Sequence, residues 1–257
     1  MPLTFSIVTS TWNSEPYLAK SIASVLAQDH PAIEYIFVDG GSTDGTLERI
    51  RRIPRETKLL TDVRGGVSAA MNAGLAVATG DVVAHLHSDD YYLYPQVLSD
   101  VAETLERTGA EWLFARCLDD VDGQLLPENW QMPRYSYRRL LKGNFISQMA
   151  VFVRKPLFDR VGRFDPGLKY AMDYDMYLRL GRLAEPHQLD RHLAAFRKHA
   201  GSLSTANPLP GLDEDFRVRL KYAGRSPWGL AYHGAHYLVR RWRLARAASA
   251  ASAASAA

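Results

Sequence analysis

Six consecutive residues, His85-Leu86-His87-Ser88-Asp89-Asp90, carry the densest chemistry in this chain. They follow the apolar run Val82-Val83-Ala84, so two adjacent carboxylates stand at the end of a strand expected to be buried. A buried charge without a partner is very costly, so the pair must be hydrogen-bonded, hydrated or metal-bound. Hard divalent cations such as Mg²⁺ or Mn²⁺ take oxygen ligands and can bridge a protein carboxylate to a diphosphate. One reading of the stretch is therefore a nucleotide-diphosphate site. The other is a polar cap on a helix starting near Tyr94-Pro95.

Two more polar clusters follow apolar runs. Phe5–Thr9 leads into Thr11-Trp12-Asn13, and Ile33–Val38 leads into Asp39-Gly40-Gly41-Ser42-Thr43-Asp44. Between them, Tyr17–Leu26 has helical spacing. A second helix opens at Ser42–Thr46 with Leu47 and Ile50 on its apolar face. Lys58–Thr61 reads as a strand, Val67–Ala78 as an Ala-rich helix stopped by Gly80, and Asp81–Leu86 as a strand. This alternation predicts an α/β fold with a parallel sheet flanked by helices. Ligands of such sheets sit beyond the C-terminal strand ends, where all three clusters fall.

Beyond residue 92 the pattern loosens. Strands are expected at Glu111–Arg116, Met149–Val153 and Leu193–Lys198, and helices at Tyr137–Lys142, Lys155–Val161 and Asp173–Leu183. Asp119–Gly123 reads as a turn and Gly201–Pro210 as a loop. The expected division is a catalytic domain over 1–205, with halves 1–92 and 93–205. A basic helical extension follows over 206–246, and then an Ala/Ser tail over 247–257.

The composition, 47% hydrophobic and 23% charged over 257 residues, suits a soluble globular protein. A single cysteine, Cys117, excludes an intramolecular disulfide. The opening Met1–Val8 reads as a first strand rather than a signal peptide, and no apolar run is long enough to span a membrane. The net charge of +3 hides an asymmetry: after Asp215 there are eight Lys and Arg and no acid, which leaves −5 on residues 1–215. Trp228, Tyr232, Ala235, Val239 and Trp242 form an apolar stripe near that basic end. The stripe suits an interfacial anchor on anionic lipid. It also suits a helix packed on the body or on a second subunit of a homo-oligomer. Nucleic acid is not an expected partner.

Taken in order, several motifs resemble family 2 glycosyltransferases. They are Ser6–Asn13, Val38–Thr46, Ser68–Gly74, Ala78–Asp81, Ser88–Asp90, Phe164-Asp165, Asp173–Leu180 and Arg197–Ser202, spread over residues 3–205. The resemblance implies a GT-A fold, a nucleotide-sugar donor such as a UDP-sugar, a divalent metal (Mn²⁺ or Mg²⁺) and transfer with inversion at the anomeric carbon. The acceptor it implies is a saccharide or lipid-linked glycan of the cell surface. The implied location is the cytoplasm, in peripheral contact with the inner face of the plasma membrane through residues 228–246.

The resemblance also assigns roles. Asp39 accepts a hydrogen bond from the base, with Asp44 nearby, and Thr9, Thr11, Trp12 and Asn13 line the base and ribose pocket. Trp12 stands where the family usually has Tyr. Asn72 is read as a ribose or sugar contact, or as a buried Asn bonded to backbone. Asp89 is the metal ligand of an Asp-x-Asp motif whose first position is His87 here, and Ser88 and Asp90 flank it. His199 supports the metal or the diphosphate. Asp173 is the base that deprotonates the acceptor, with Asp175 in reserve; Met172 replaces the first of the usual acidic pair. Arg179 orients the catalytic helix or pairs with a carboxylate, and Gln148 contacts the acceptor. Two rivals stand beside this reading: a nucleotidyltransferase, and a nucleotide-sugar-binding protein impaired in catalysis.

Overall fold

The computed structural model describes residues 2–128, 131–199, 201–202, 207–224 and 227–255, and only the backbone of 227–229 and 247–255. Ala200, the middle of the 201–210 loop and the Trp228 side chain lie outside the described residues.

The first half follows the expected alternation. β1 (Phe5–Thr11), α1 (Glu15–Leu26), β2 (Ile33–Asp39), α2 (Thr46–Arg51), β3 (Thr57–Leu60), α3 (Gly66–Val77) and β4 (Val82–His85) appear in turn. β3, β2, β1 and β4 lie side by side and parallel. The buried strands are runs of Ile, Val and Phe, the composition of strands covered on both faces. Helix α3 packs tightly on them: a Cβ at Gly74 would come within 2.3 Å of Val8 Cγ1, so only glycine fits there.

The second half departs from a purely parallel sheet. The remaining elements are β5 (Tyr91–Tyr92), α4 (Val97–Thr108), β6 (Trp112–Val121), β7 (Gln124–Pro127), α5 (Tyr137–Leu140), β8 (Val151–Arg154), α6 (Lys155–Val161), α7 (Met172–Leu183), β9 (His187–Lys198), α8 (Pro208–Tyr222) and α9 (Pro227–Ser255). β8 inserts antiparallel between β4 and β6, and β5 closes the order β3-β2-β1-β4-β8-β6-β9-β5. Apolar cores fill both faces. One packs α3, α6 and α7 through Met71, Phe158, Tyr174 and Leu178. The other packs α1 and α4 through Leu18, Val25, Val101 and Leu105.

Three local expectations are corrected. Asp89 and Asp90 do not cap the next helix, because β5 intervenes and α4 opens only after Gln96. β6 runs through the expected turn to Val121, and the reversal falls on Asp122-Gly123, both with positive φ, forming a β6–β7 hairpin. The 201–210 loop ends early, since Pro208 already begins α8, a helix with no strong apolar period of its own. The Ala/Ser tail, whose composition suits either an unstructured segment or a frayed helix, is helical to Ser255, in keeping with the high helix propensity of alanine.

Candidate active site

A cleft of about 1190 Å³ opens at the C-terminal ends of β1 and β4. That is large enough for a nucleotide with a sugar attached, just above the usual range for small-molecule sites. Its walls gather Thr11, Trp12, Asn13, His87, Ser88, Asp89, Asp90, Gln148, Asp173 and His199. These residues come from opposite ends of the sequence.

One wall is the loop after β1. Trp12 is 70% exposed and offers a free ring face, so core burial is not its role. Asn13 has φ +47, a conformation asparagine tolerates, and its side chain accepts a hydrogen bond from Thr43 N at 2.9 Å. Asp39 braces this wall from behind. Its carboxylate accepts from Thr11 Oγ1, Ser42 Oγ, and the backbone N–H groups of Gly41 and Ser42, at 2.6–2.9 Å. Burial alone would raise the Asp39 pKa, but these donors more than offset it and hold the acid below its usual range.

Five expected site residues stand outside the cleft lining. Asp39 is fully buried with its oxygens engaged as above. Thr9 is fully buried inside β1. Asp44 accepts from Thr46 N and Glu15 N and so ties α2 to α1. Asn72 bonds the Phe164 backbone in both directions at 2.8 Å, the backbone-bonded alternative of its two readings. Arg179 pairs with Asp175 at 2.8 Å and donates to the Val161 and Arg163 carbonyls, pinning α7 to the segment before it.

The Asp89 corner is closed from β9. His199 Nε2 lies 3.1 Å from Asp89 Oδ2, and the His199 ring stacks on Tyr17 with centroids 4.1 Å apart. His199 Nδ1 is buried without a hydrogen-bond partner among the described residues. Asp90 is buried beneath them and accepts from Arg197 N at 3.2 Å; burial and then the Asp89 charge push its pKa well up. Of the two histidines in the motif, burial drives the His85 pKa down to about 3 and keeps it neutral in the core. Only His87 reaches the cleft, where Nε2 meets Gln148 Oε1 at 3.3 Å.

The donor set fits a divalent cation. A carboxylate oxygen and an imidazole nitrogen on one cleft wall suit Mn²⁺ or Mg²⁺ that takes its other ligands from phosphate and water. Among the described residues no group of three or more His, Cys, Asp or Glu could hold a metal alone, so phosphate oxygens would have to complete the shell.

Asp173 occupies the first turn of α7 at the cleft surface, where it accepts from Asn144 Nδ2 at 3.2 Å and from Tyr174 N at 2.7 Å. Burial, and then the charge of Asp215, raise its pKa to about 7. A carboxylate tuned to neutral pH is what general-base work requires. Asp175, the reserve, is excluded by its contacts: it is 1% exposed and accepts from Arg179, Lys221 and Tyr222.

Several cleft residues had no sequence signal. Arg64 and Asn144 come from irregular segments, Asp119 from β6, and Asp215 and Arg240 from the C-terminal helices. Only the spacing of Pro208, Leu212 and Asp215 could have found the inward stripe of α8.

The sequence profile of Glycosyl transferase family 2 matches residues 6–158. The chain belongs to this family. A Nostoc protein described as an uncharacterized glycosyltransferase is 36% identical over 252 residues, covering 86% of this chain and 77% of that one. The structure of Staphylococcus aureus TarS 1–349 in complex with UDP-GlcNAc superposes with a TM-score of 0.71 at 22% identity, over 91% of this chain and 70% of that one. A mannosyltransferase of Pyrobaculum calidifontis, in complex with GDP-Man and Mn²⁺, superposes with a TM-score of 0.71 at 19% identity, over all of this chain (100%) and 76% of that one. This protein is a glycosyltransferase with an α/β GT-A fold, and the nucleotidyltransferase alternative falls away.

Proposed function

We propose that the enzyme transfers a sugar from a nucleotide-diphosphate donor, a UDP-sugar, to a hydroxyl of a saccharide or lipid-linked acceptor with inversion. The observation that carries this reading is the Asp173 carboxylate, tuned to about 7, in the same cleft as the Asp89–His199 pair. The free face of Trp12 would stack on the base, and Thr11 and Asn13 would border the ribose. Asp173 would take the acceptor proton as the hydroxyl oxygen bonds to the anomeric carbon. The bond from that carbon to the diphosphate oxygen breaks at the same time, and the electron pair leaves with the nucleotide. When bound, a cation on Asp89 and His199 supplies positive charge to the diphosphate. Asn144 would hold Asp173 pointing into the cleft.

The test is a calorimetric titration with UDP, with and without Mn²⁺, followed by a screen of UDP-sugars for hydrolysis or transfer. Mn²⁺-dependent UDP binding is expected. A chain that binds no nucleotide under either condition would refute the donor assignment.

The C-terminal helix supports peripheral membrane contact. On α9, Tyr232, Val239 and Trp242 are 48–58% exposed, and Arg246 stacks over Trp242 at 4.7 Å. The opposite face is packed: Tyr237 stacks on Phe216 at 4.2 Å, and His233 is buried. Among the described residues no helix is long and apolar enough to cross a membrane. An exposed Trp beside arginines matches an anionic headgroup boundary. The full chain should co-sediment with phosphatidylglycerol vesicles and lose that binding on Trp242→Ala with Arg246→Glu. Equal recovery by the double variant would exclude the membrane reading, and a concentration-dependent dimer lost in that variant would assign the stripe to a second subunit.

A further inference from the structure

The C-terminal helices lie beyond the matched residues 6–158, yet they form a wall of the cleft. Pro208, Gly211, Leu212 and Asp215 line it from α8, and Arg240 and Leu244 from α9. Helix α8 is fixed against the base. Glu214 accepts from the backbone N–H groups of Tyr170 and Ala171, just ahead of α7, and a Cβ at Gly211 would sit 3.8 Å from Tyr170 Cβ. The three acids of this turn then divide. Asp213 is engaged on the outer side by Tyr237 Oη and Arg241. Glu214 holds the α7 entry. Asp215 faces the cleft, and among the described residues no hydrogen bond reaches its carboxylate.

Asp215 is only partly exposed, so its carboxylate gives up part of its hydration in the cleft, and a ligand that supplies donors would replace what is lost. Burial raises its pKa to about 6, with the Arg219 and Arg240 charges opposing that rise. It is therefore ionised at neutral pH and able only to accept. Sugar hydroxyls are the donors that the proposed transfer brings to the Asp173 side of the cleft, where Asp215 stands near enough for its charge to act on that carboxylate.

We propose that Asp215 is an acceptor-binding residue, whose carboxylate accepts hydrogen bonds from hydroxyls of the acceptor saccharide and so presents the neighbouring hydroxyl to Asp173. The inference rests on the transfer reading above. It makes acceptor choice a property of α8 rather than of the nucleotide-binding half.

The test is saturation-transfer NMR on the full chain with Mn²⁺ and UDP present, using methyl β-glycosides of glucose, galactose, mannose and N-acetylglucosamine as probes. At least one glycoside should receive saturation from the unmodified protein. Asp215→Asn, equal in size, should weaken that binding by about ten- to hundredfold, the worth of hydrogen bonds to a charged acceptor. UDP affinity should not change, and the thermal midpoint should hold or rise, because Asn carries no partly desolvated charge. Asp213→Asn, on the outer side of the same turn, should bind the glycoside as the unmodified chain does. Glycoside binding that survives Asp215→Asn intact overturns the proposal, as does absence of any glycoside binding while UDP–Mn²⁺ still binds. Loss of UDP–Mn²⁺ binding by the unmodified chain would instead defeat the donor assignment.

Discussion

His199 Nε2 lies 3.1 Å from Asp89 Oδ2 across 110 positions of sequence, so the end of β9 completes a corner begun after β4. Neither residue alone makes a cation site. Asp89→Ala and His199→Ala should each remove the Mn²⁺ enhancement of UDP affinity while leaving metal-free UDP affinity within about twofold, because charge at this corner acts through the cation. Calorimetry with and without Mn²⁺ measures it. Enhancement retained in both variants would place the cation elsewhere.

Asp173 links activity to pH. Transfer requires its ionised form, so turnover should climb as pH rises through about 7, the value burial and Asp215 impose. Stability should run the other way. A carboxylate whose folded pKa is raised contributes stability below its unfolded value of 3.8, and that contribution is lost as pH rises through about 7. Asp173→Asn should cut transfer by about 10²–10⁴-fold, keep UDP binding, and flatten the fall in melting temperature between about pH 4 and 7. Near-normal turnover in that variant would remove Asp173 from the base role.

Asp39 should behave in the opposite sense. Its folded pKa is lowered, so its contribution is present above the unfolded value of 3.8 and is lost as pH falls through the folded one. Asp39→Asn should lower stability at neutral pH and lose part of the acid sensitivity below about pH 4. It should also weaken UDP binding, because the loops carrying Thr11 and Ser42 lose their common acceptor. Urea titrations at several pH values decide it.

Trp12 offers a cleaner contrast. Being 70% exposed, it contributes little to folding, so Trp12→Ala should leave the unfolding midpoint unchanged. Loss of its stacking face should weaken UDP binding by about two- to tenfold, the range of an aromatic pair.

Asp175 ties α7 to α8 through Lys221 and Tyr222, and pairs with Arg179 one turn along α7. Asp175→Ala would leave these donors facing a buried gap and should cost about 3–5 kcal/mol, read from denaturant unfolding. A loss below about 1 kcal/mol would mean that water replaces the carboxylate.

The sequence by itself determined the local part of this protein. The order of β1 to β4 and the cleft positions of Thr11, Trp12, Asn13 and Asp89 were legible, because each rests on a short apolar period followed by polar residues at a strand end, whereas Asp173 came from the resemblance. The resemblance added His199 from outside that pattern. Asp39, Asp44 and Asn72 were legible as important, and the backbone-bonded role of Asn72 was one of its two readings, but a motif shows that an acid or amide is needed and not which donors will surround it.

Tertiary structure alone decided the rest. β8 runs antiparallel to β4 and β6, which come from distant stretches of chain, and no local period encodes that direction. Asp215 and Arg240 gain meaning only when α8 and α9 fold back over the cleft. The raised pKa of Asp173 has the same origin: desolvation and a neighbouring charge are set by what packs around a group, and 42 residues of chain separate the two acids that do it.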